Sequence, residues 1–142
     1  MYNTKRITVK NLLTSLAPHA TKRAFKKGSV LLYQGEAPRM AYVIKSGHVK
    51  VYTINNAGEE QIVTFHSASD VFPSPWLFGK TSTTQYYYET FSDCEVLTLP
   101  RDILLAQLTK TGQVLQLVDY LSNNYIGMLM RVTALEQSRA RE

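Results

Sequence analysis

The residues best placed to hold a ligand gather in one stretch, Asp70 to Asp93 (DVFPSPWLFGKTSTTQYYYETFSD), where prolines, aromatics and hydroxyls interrupt an otherwise regular run of short strands. Pro73 and Pro75 lack a backbone donor, so a central strand cannot run through them, and the spacing predicts a loop or a single irregular turn. Trp76, Leu77 and Phe78 then place three large apolar side chains before Gly79, a pattern for a loop folded onto a core. The polar run from Lys80 to Gln85 offers neutral hydrogen bonds, and Tyr86, Tyr87 and Tyr88 follow it. On a strand, Tyr86 and Tyr88 point to one side and Tyr87 to the other. The candidate pocket residues are therefore Phe72, Pro73, Ser74, Trp76, Phe78, Lys80, Thr84, Gln85, Tyr86, Tyr87 and Tyr88. They suit a flat or apolar ligand, and they suit equally a cavity that its own aromatic rings fill.

Other reactive groups are sparse. His19, His48 and His66 contain no H-x-H pair, the spacing that would point two imidazoles inward together from one strand of a metal-binding jelly roll. No P-loop, nucleophile elbow or zinc-ligand spacing occurs, and Glu59-Glu60 beside Gly58 has the look of a solvated hairpin end. The single cysteine, Cys94, excludes a disulfide within the chain and a cluster held by several of its thiolates; a buried, inert thiol is expected. No catalytic residue, metal or cofactor is expected, and the protein is not expected to be an enzyme.

The 142 residues, 44% of them hydrophobic, are enough for one globular domain with an appendage. No run approaches the roughly 18 apolar residues of a membrane span. Met1 to Lys10 is too polar for a signal peptide, so a cytoplasmic protein without membrane association is expected. Charge is uneven: residues 1–50 hold ten Lys and Arg against the single acid Glu36, and residues 51–142 hold six against ten acids. A basic first third is either a solvated face or an attractor of nucleic acid or an acidic partner.

Residues 1–23 form an N-terminal helical segment on this reading, with one or two turns around Leu12, Leu13 and Leu16 before Pro18. Residues 24–100 form the main domain, with strands near Ser29–Tyr33, Met40–Lys45, His48–Ile54, Gln61–His66 and Val96–Leu99, separated by Gly28, Gly35 with Pro38, Gly47 and the Asn55–Gly58 corner. Short, regularly spaced strands with alternating apolar positions such as Val49 and Val51 indicate a mainly β fold with flanking helices, an antiparallel sandwich or jelly roll.

Residues 101–142 turn helical, with a short helix over Asp102–Leu108 and a long one after Gly112. In the long helix Val114, Val118, Leu121, Tyr125, Met128, Val132 and Leu135 follow at steps of 4, 3, 4, 3, 4 and 3, a coiled-coil seam. A second stripe, Leu115, Ile126 and Leu129, can rest on the barrel. No other helix of comparable length is available, so the seam predicts a parallel homodimer through the same helix of a second copy.

In this order the chain resembles the N-terminal sensor domain of the Crp/Fnr transcription regulators. The resemblance rests on FKKGSVLLYQGE (Phe25 to Glu36), YVIKSGHVKVY (Tyr42 to Tyr52), NAGEEQI (Asn56 to Ile62) and DCEVLTLPRD (Asp93 to Asp102). It implies a cyclic-nucleotide-binding-type jelly roll (double-stranded β-helix) followed by a long C-terminal dimerisation helix. Leu135 to Glu142 looks like the family's hinge to a helix-turn-helix domain, so the expectation is a fragment ending there. The full protein would then bind two-fold DNA through that missing domain.

The resemblance fails at the ligand. Family members that bind cyclic nucleotides carry a Gly-Glu pair and an Arg-Ser or Arg-Thr pair, the glutamate for the ribose and the arginine for the cyclic phosphate. Their places fall here on Pro73 with Ser74 and Thr84 with Gln85. The resemblance thus implies a sensor that does not bind cAMP in the usual way and whose small-molecule effector, if it has one, is unknown. Two rivals are a metal-dependent, cupin-like jelly-roll enzyme and a ligandless protein-interaction module using the basic first third.

Overall fold

The structure, a computed structural model, describes residues 9–110. The expected seam from Val114 to Leu135 lies outside the described residues. The chain opens with helix α1 (Val9–Leu16) and a 3-10 turn (Ala17–His19), in which Pro18 stands near the start, where its missing donor costs nothing. Eight strands follow: β1 (Thr21–Phe25), β2 (Val30–Leu32), β3 (Ala41–Ser46), β4 (Val49–Ile54), β5 (Glu60–His66), β6 (Val71–Phe72), β7 (Tyr87–Thr90) and β8 (Cys94–Leu99). Helix α2 (Ser74–Leu77) lies between β6 and β7, and α3 (Arg101–Lys110) follows β8.

All pairings are antiparallel, and the strands form two four-stranded sheets ordered β1-β8-β3-β6 and β2-β7-β4-β5. Neighbours come from distant parts of the chain, which is the wrapped order of a jelly roll.

Alternation along the strands builds two cores. Ile44, Val96, Tyr42 and Phe72 face the interior between the sheets and meet Leu31, Leu32, Val49, Val51 and Tyr88 from the second sheet. Val43, Leu97, Leu99 and Val71, one residue out of step, point the other way and pack with Leu16 of α1 and Leu104 and Leu108 of α3. Helices therefore cover the outer face of the first sheet.

The strands read from the sequence are present with ends shifted by one or two residues, and the short helix over Asp102–Leu108 is the centre of α3. Two strands were not anticipated. Residues 21–23, assigned to the helical N-terminal segment, belong to β1, an edge strand whose Thr-Lys-Arg-Ala run is exposed throughout and so carries no alternation to read. The loop expected over Asp70–Gln85 contains β6, only two residues long before Pro73 ends it, and one turn of helix.

Gly47 turns β3 into β4 with φ +97°, beneath the β7–β8 turn. A Cβ there would meet the Asp93 carbonyl oxygen and come within 2.6 Å of Cys94 Sγ and 2.9 Å of Cys94 Cα. Backbone strain and overlap act together, so Gly47→Ala is expected to cost about 2–4 kcal/mol. The urea midpoint would fall accordingly; an unchanged midpoint would show that the turn relaxes freely.

Candidate functional site

Phe72 is the centre of the interior. It is fully buried, and its ring lies nearly parallel to three others: Tyr42 at 5.1 Å between centroids, Tyr88 at 4.8 Å and His66 at 5.5 Å, with interplanar angles of 4°, 7° and 3°. Tyr42 comes from β3, Phe72 from β6, Tyr88 from β7 and His66 from the end of β5, so the rings join both sheets. Each stacked pair adds about 0.5–1.5 kcal/mol to its area burial. Burial, the larger cause, raises the phenol pKa of Tyr88 above the usual tyrosine value, with Tyr86 adding to it; burial also raises that of Tyr42.

The turn after β5 fixes the histidine. Asp70 Oδ2 accepts the Ser67 backbone N–H at 2.8 Å and stands 3.3 Å from His66 Nδ1. Strand β6 then places Val71 in the outer core and Phe72 in the inner one.

The amides of Leu77 and of the three residues after helix α2 turn back onto its carbonyls and that of Pro73. Leu77 N–H donates to the Pro73 carbonyl at 3.0 Å, Phe78 to Ser74 at 3.3 Å, Gly79 to Trp76 at 3.0 Å and Lys80 to Pro75 at 2.8 Å. Ser74 is half-buried, and its hydroxyl turns back 3.4 Å to the Val71 carbonyl. Thr84 is buried and ties the loop to the β2–β3 turn: its N–H donates to the Glu36 carbonyl at 2.9 Å, its carbonyl accepts Gly35 N–H at 2.8 Å, and its hydroxyl donates to the Tyr86 carbonyl at 2.7 Å. Ser74 and Thr84, which stand where the resemblance puts the glutamate and the arginine, are thus engaged with backbone.

Of the residues singled out from the sequence, Phe72, Tyr86 and Tyr88 come together at the interior, Tyr86 half-buried against it. Pro73 is buried beside them in sequence. Tyr87 lies on the outer face of the second sheet, stacked on Tyr52 at 5.2 Å. Phe78, Lys80 and Gln85 are exposed. Trp76 belongs to the outer core, where the Arg101 guanidinium sits 4.8 Å over its ring and donates to its carbonyl at 2.9 Å. Tyr42 and His66 were missed as interior residues. Alternation with Ile44 was a signal for Tyr42; for His66 the signal lay in its register opposite Val49, which only the strand pairing reveals.

Among the described residues no three His, Cys, Asp or Glu side chains form a group that could hold a metal ion, and no helix is long and apolar enough to cross a membrane. Cys94 is buried, its thiol 3.3 Å from the His48 and Ser92 carbonyls.

Comparison with known proteins places this geometry. The family model of the cyclic nucleotide-binding domain matches residues 22–111. The chain is 31% identical over 122 residues to the fumarate and nitrate reduction regulatory protein of Vibrio cholerae, a match covering 85% of this chain and 48% of that protein. The chain thus spans about half the length of that relative. Among solved structures, the catabolite activator protein of Thermus thermophilus superposes with a TM-score of 0.72 at 19% identity, covering 92% of this chain and 61% of that one. A transcriptional regulator from Thermotoga maritima superposes with a TM-score of 0.75 at 16% identity, covering 87% of this chain and 96% of that one.

Two outcomes follow for the ring column. Phe72→Ala removes the ring that the other three share and should cost about 3–5 kcal/mol in urea unfolding. The raised phenols of Tyr42 and Tyr88 contribute stability that is fully present below the unfolded tyrosine pKa of about 10 and is lost as pH rises above it. The urea midpoint should therefore fall steeply above that pH, and less steeply in Tyr88→Phe; identical slopes would place the titrating group elsewhere.

Proposed function

The chain belongs to the cyclic nucleotide-binding domain family, as an N-terminal domain of the Crp/Fnr type, and from that premise we propose that it is the sensor and dimerisation part of a cytoplasmic, DNA-binding transcription regulator whose barrel does not hold a cyclic nucleotide. Its relatives act as regulators, which supports a regulatory role over an enzymatic one. The cupin-like alternative finds no ligand set among the described residues.

The observation that carries the reading is the ring column. Sliding a purine between Phe72 and Tyr88 requires their centroids to part to roughly 7 Å, two contact distances of about 3.5 Å; they stand 4.8 Å apart. Polar recognition is weak as well. Each charge-assisted bond to ribose or phosphate is typically worth roughly 1.5–3 kcal/mol, and Ser74 and Thr84 supply none.

Arg101 suggests how the loop reaches the rest of the chain. It fastens α2 through Trp76 to the start of α3, which leads toward residues 114–135. On this reading the 114–135 seam pairs two copies, and DNA is read by a helix-turn-helix domain beyond this sequence. A signal entering at the loop would bias the helix pair through the Trp76–Arg101 contact. Any effector would then act at the exposed residues of the loop, among them Phe78, Lys80 and Gln85, or through another protein, not inside the rings.

Calorimetry with cAMP and cGMP is expected to show no binding; micromolar binding of either would overturn the reading of the interior. Sedimentation of the 142-residue chain should show a dimer that Tyr125→Ala with Met128→Ala weakens. Unchanged sedimentation would rule out the seam.

A further inference from the structure

The first sheet ends in a basic edge. Strand β1 pairs with β8 on one side and, among the described residues, with no strand on the other. From Thr21 to Lys27 the strand and the turn after it hold Lys22, Arg23, Lys26 and Lys27, all exposed, and no acid. Lys45 of β3 joins the group, because its ammonium and that of Lys22 reach one carboxylate, Glu95, at 3.6 and 3.5 Å. Asp93 touches the edge through the Lys27 backbone N–H, at 2.9 Å. Arg23, Lys26 and Lys27 make no salt bridge among the described residues. On the second sheet, by contrast, Lys50 is answered by Glu60 at 2.9 Å and Glu89 at 3.8 Å.

Lysines on an edge strand also keep it from pairing with stray strands. That role accounts for Lys22 and Arg23 only. Lys26 and Lys27 lie in the turn beyond β1, and Lys45 lies two strands into the sheet.

We propose that this edge binds the phosphate backbone of duplex DNA without reading its sequence. The cations form a row: Lys22 and Lys26 stand roughly 13 Å apart at about 3.3 Å per extended residue, a length over which one strand of a duplex presents about four phosphates. The Arg23 guanidinium, held over the Phe25 ring at 5.0 Å, keeps a planar fork suited to phosphate oxygens, and the unpaired N–H groups of β1 are further donors. A protein partner would need an apolar anchor. Phe25 in this run is packed against the interior and covered by Arg23; Phe91, 6.0 Å from Lys27 Nζ, stands at one end of the row only. A second copy would set lysine against lysine. The choice of DNA among polyanions rests on the regulatory reading above, in which a duplex is held close to this domain.

The test uses the 142-residue chain, a short fluorescent DNA duplex of mixed sequence, and anisotropy over a series of salt concentrations. Binding is expected at low salt, its logarithm falling linearly with that of the salt. Lys22→Gln with Arg23→Gln, and separately Lys26→Gln with Lys27→Gln, should each make the slope shallower by about two, with circular dichroism unchanged, whereas Arg39→Gln should leave it as it is. No binding at low salt, or an equal change of slope in Arg39→Gln, would overturn the proposal. So would polyglutamate or phosphatidylglycerol vesicles binding this edge as tightly as the duplex. Aggregation of the glutamine variants with duplex binding unchanged would assign the charges to edge protection alone. The domain used here carries no helix-turn-helix, so failure would leave the seam and cyclic-nucleotide experiments untouched.

Discussion

Everything inside this barrel depends on Phe72. It occupies half of a two-residue strand, and because Val71 beside it points into the opposite core, that strand fastens the helical layer and the barrel interior to one backbone step. Pro73 ends the strand at once, so neither side chain can slip in register without exposing the other. Burying a phenylalanine this completely stabilises by about 1.5–3 kcal/mol, and the parallel rings of Tyr42, Tyr88 and His66 add their packing to it. The two sheets are held together by aromatic contact.

That choice of filling has consequences for charge. An interior closed by stacked rings has few partners for an ion, and a carboxylate or guanidinium placed among them would lose its hydration with little in return. Neutral residues at positions 74 and 84 are consistent with such an interior, and both have found structural work: the Ser74 hydroxyl on the Val71 carbonyl, and Thr84 clamping the β2–β3 turn. In the same loop Trp76 has a mechanical place, in the outer core beneath Arg101.

Much of this was legible in the residues. Alternation of apolar positions located β3, β4, β5 and β8, and the glycines at 47 and 58 marked turns that do adopt positive φ. Alternation also split the tyrosines correctly, with Tyr88 inward and Tyr87 outward. What stayed hidden was non-local. Strand β1 earns its place by pairing with β8 from Thr21 opposite Thr98 to Phe25 opposite Cys94, a partnership its own charged sequence does not announce. Trp76 looked like a pocket residue because the loop around it did, yet one turn of helix rotates it to the opposite side. His66 looked at most like a metal ligand, and only the turn closed by Asp70 aims its ring along Phe72.

A crystal of the chain grown with millimolar cAMP tests the filled interior most directly. The rings of Tyr42, Phe72, Tyr88 and His66 are expected to remain parallel and in contact, with no nucleotide density between the sheets. A cyclic nucleotide bound there, with Phe72 or Tyr88 swung aside to admit it, would contradict the account.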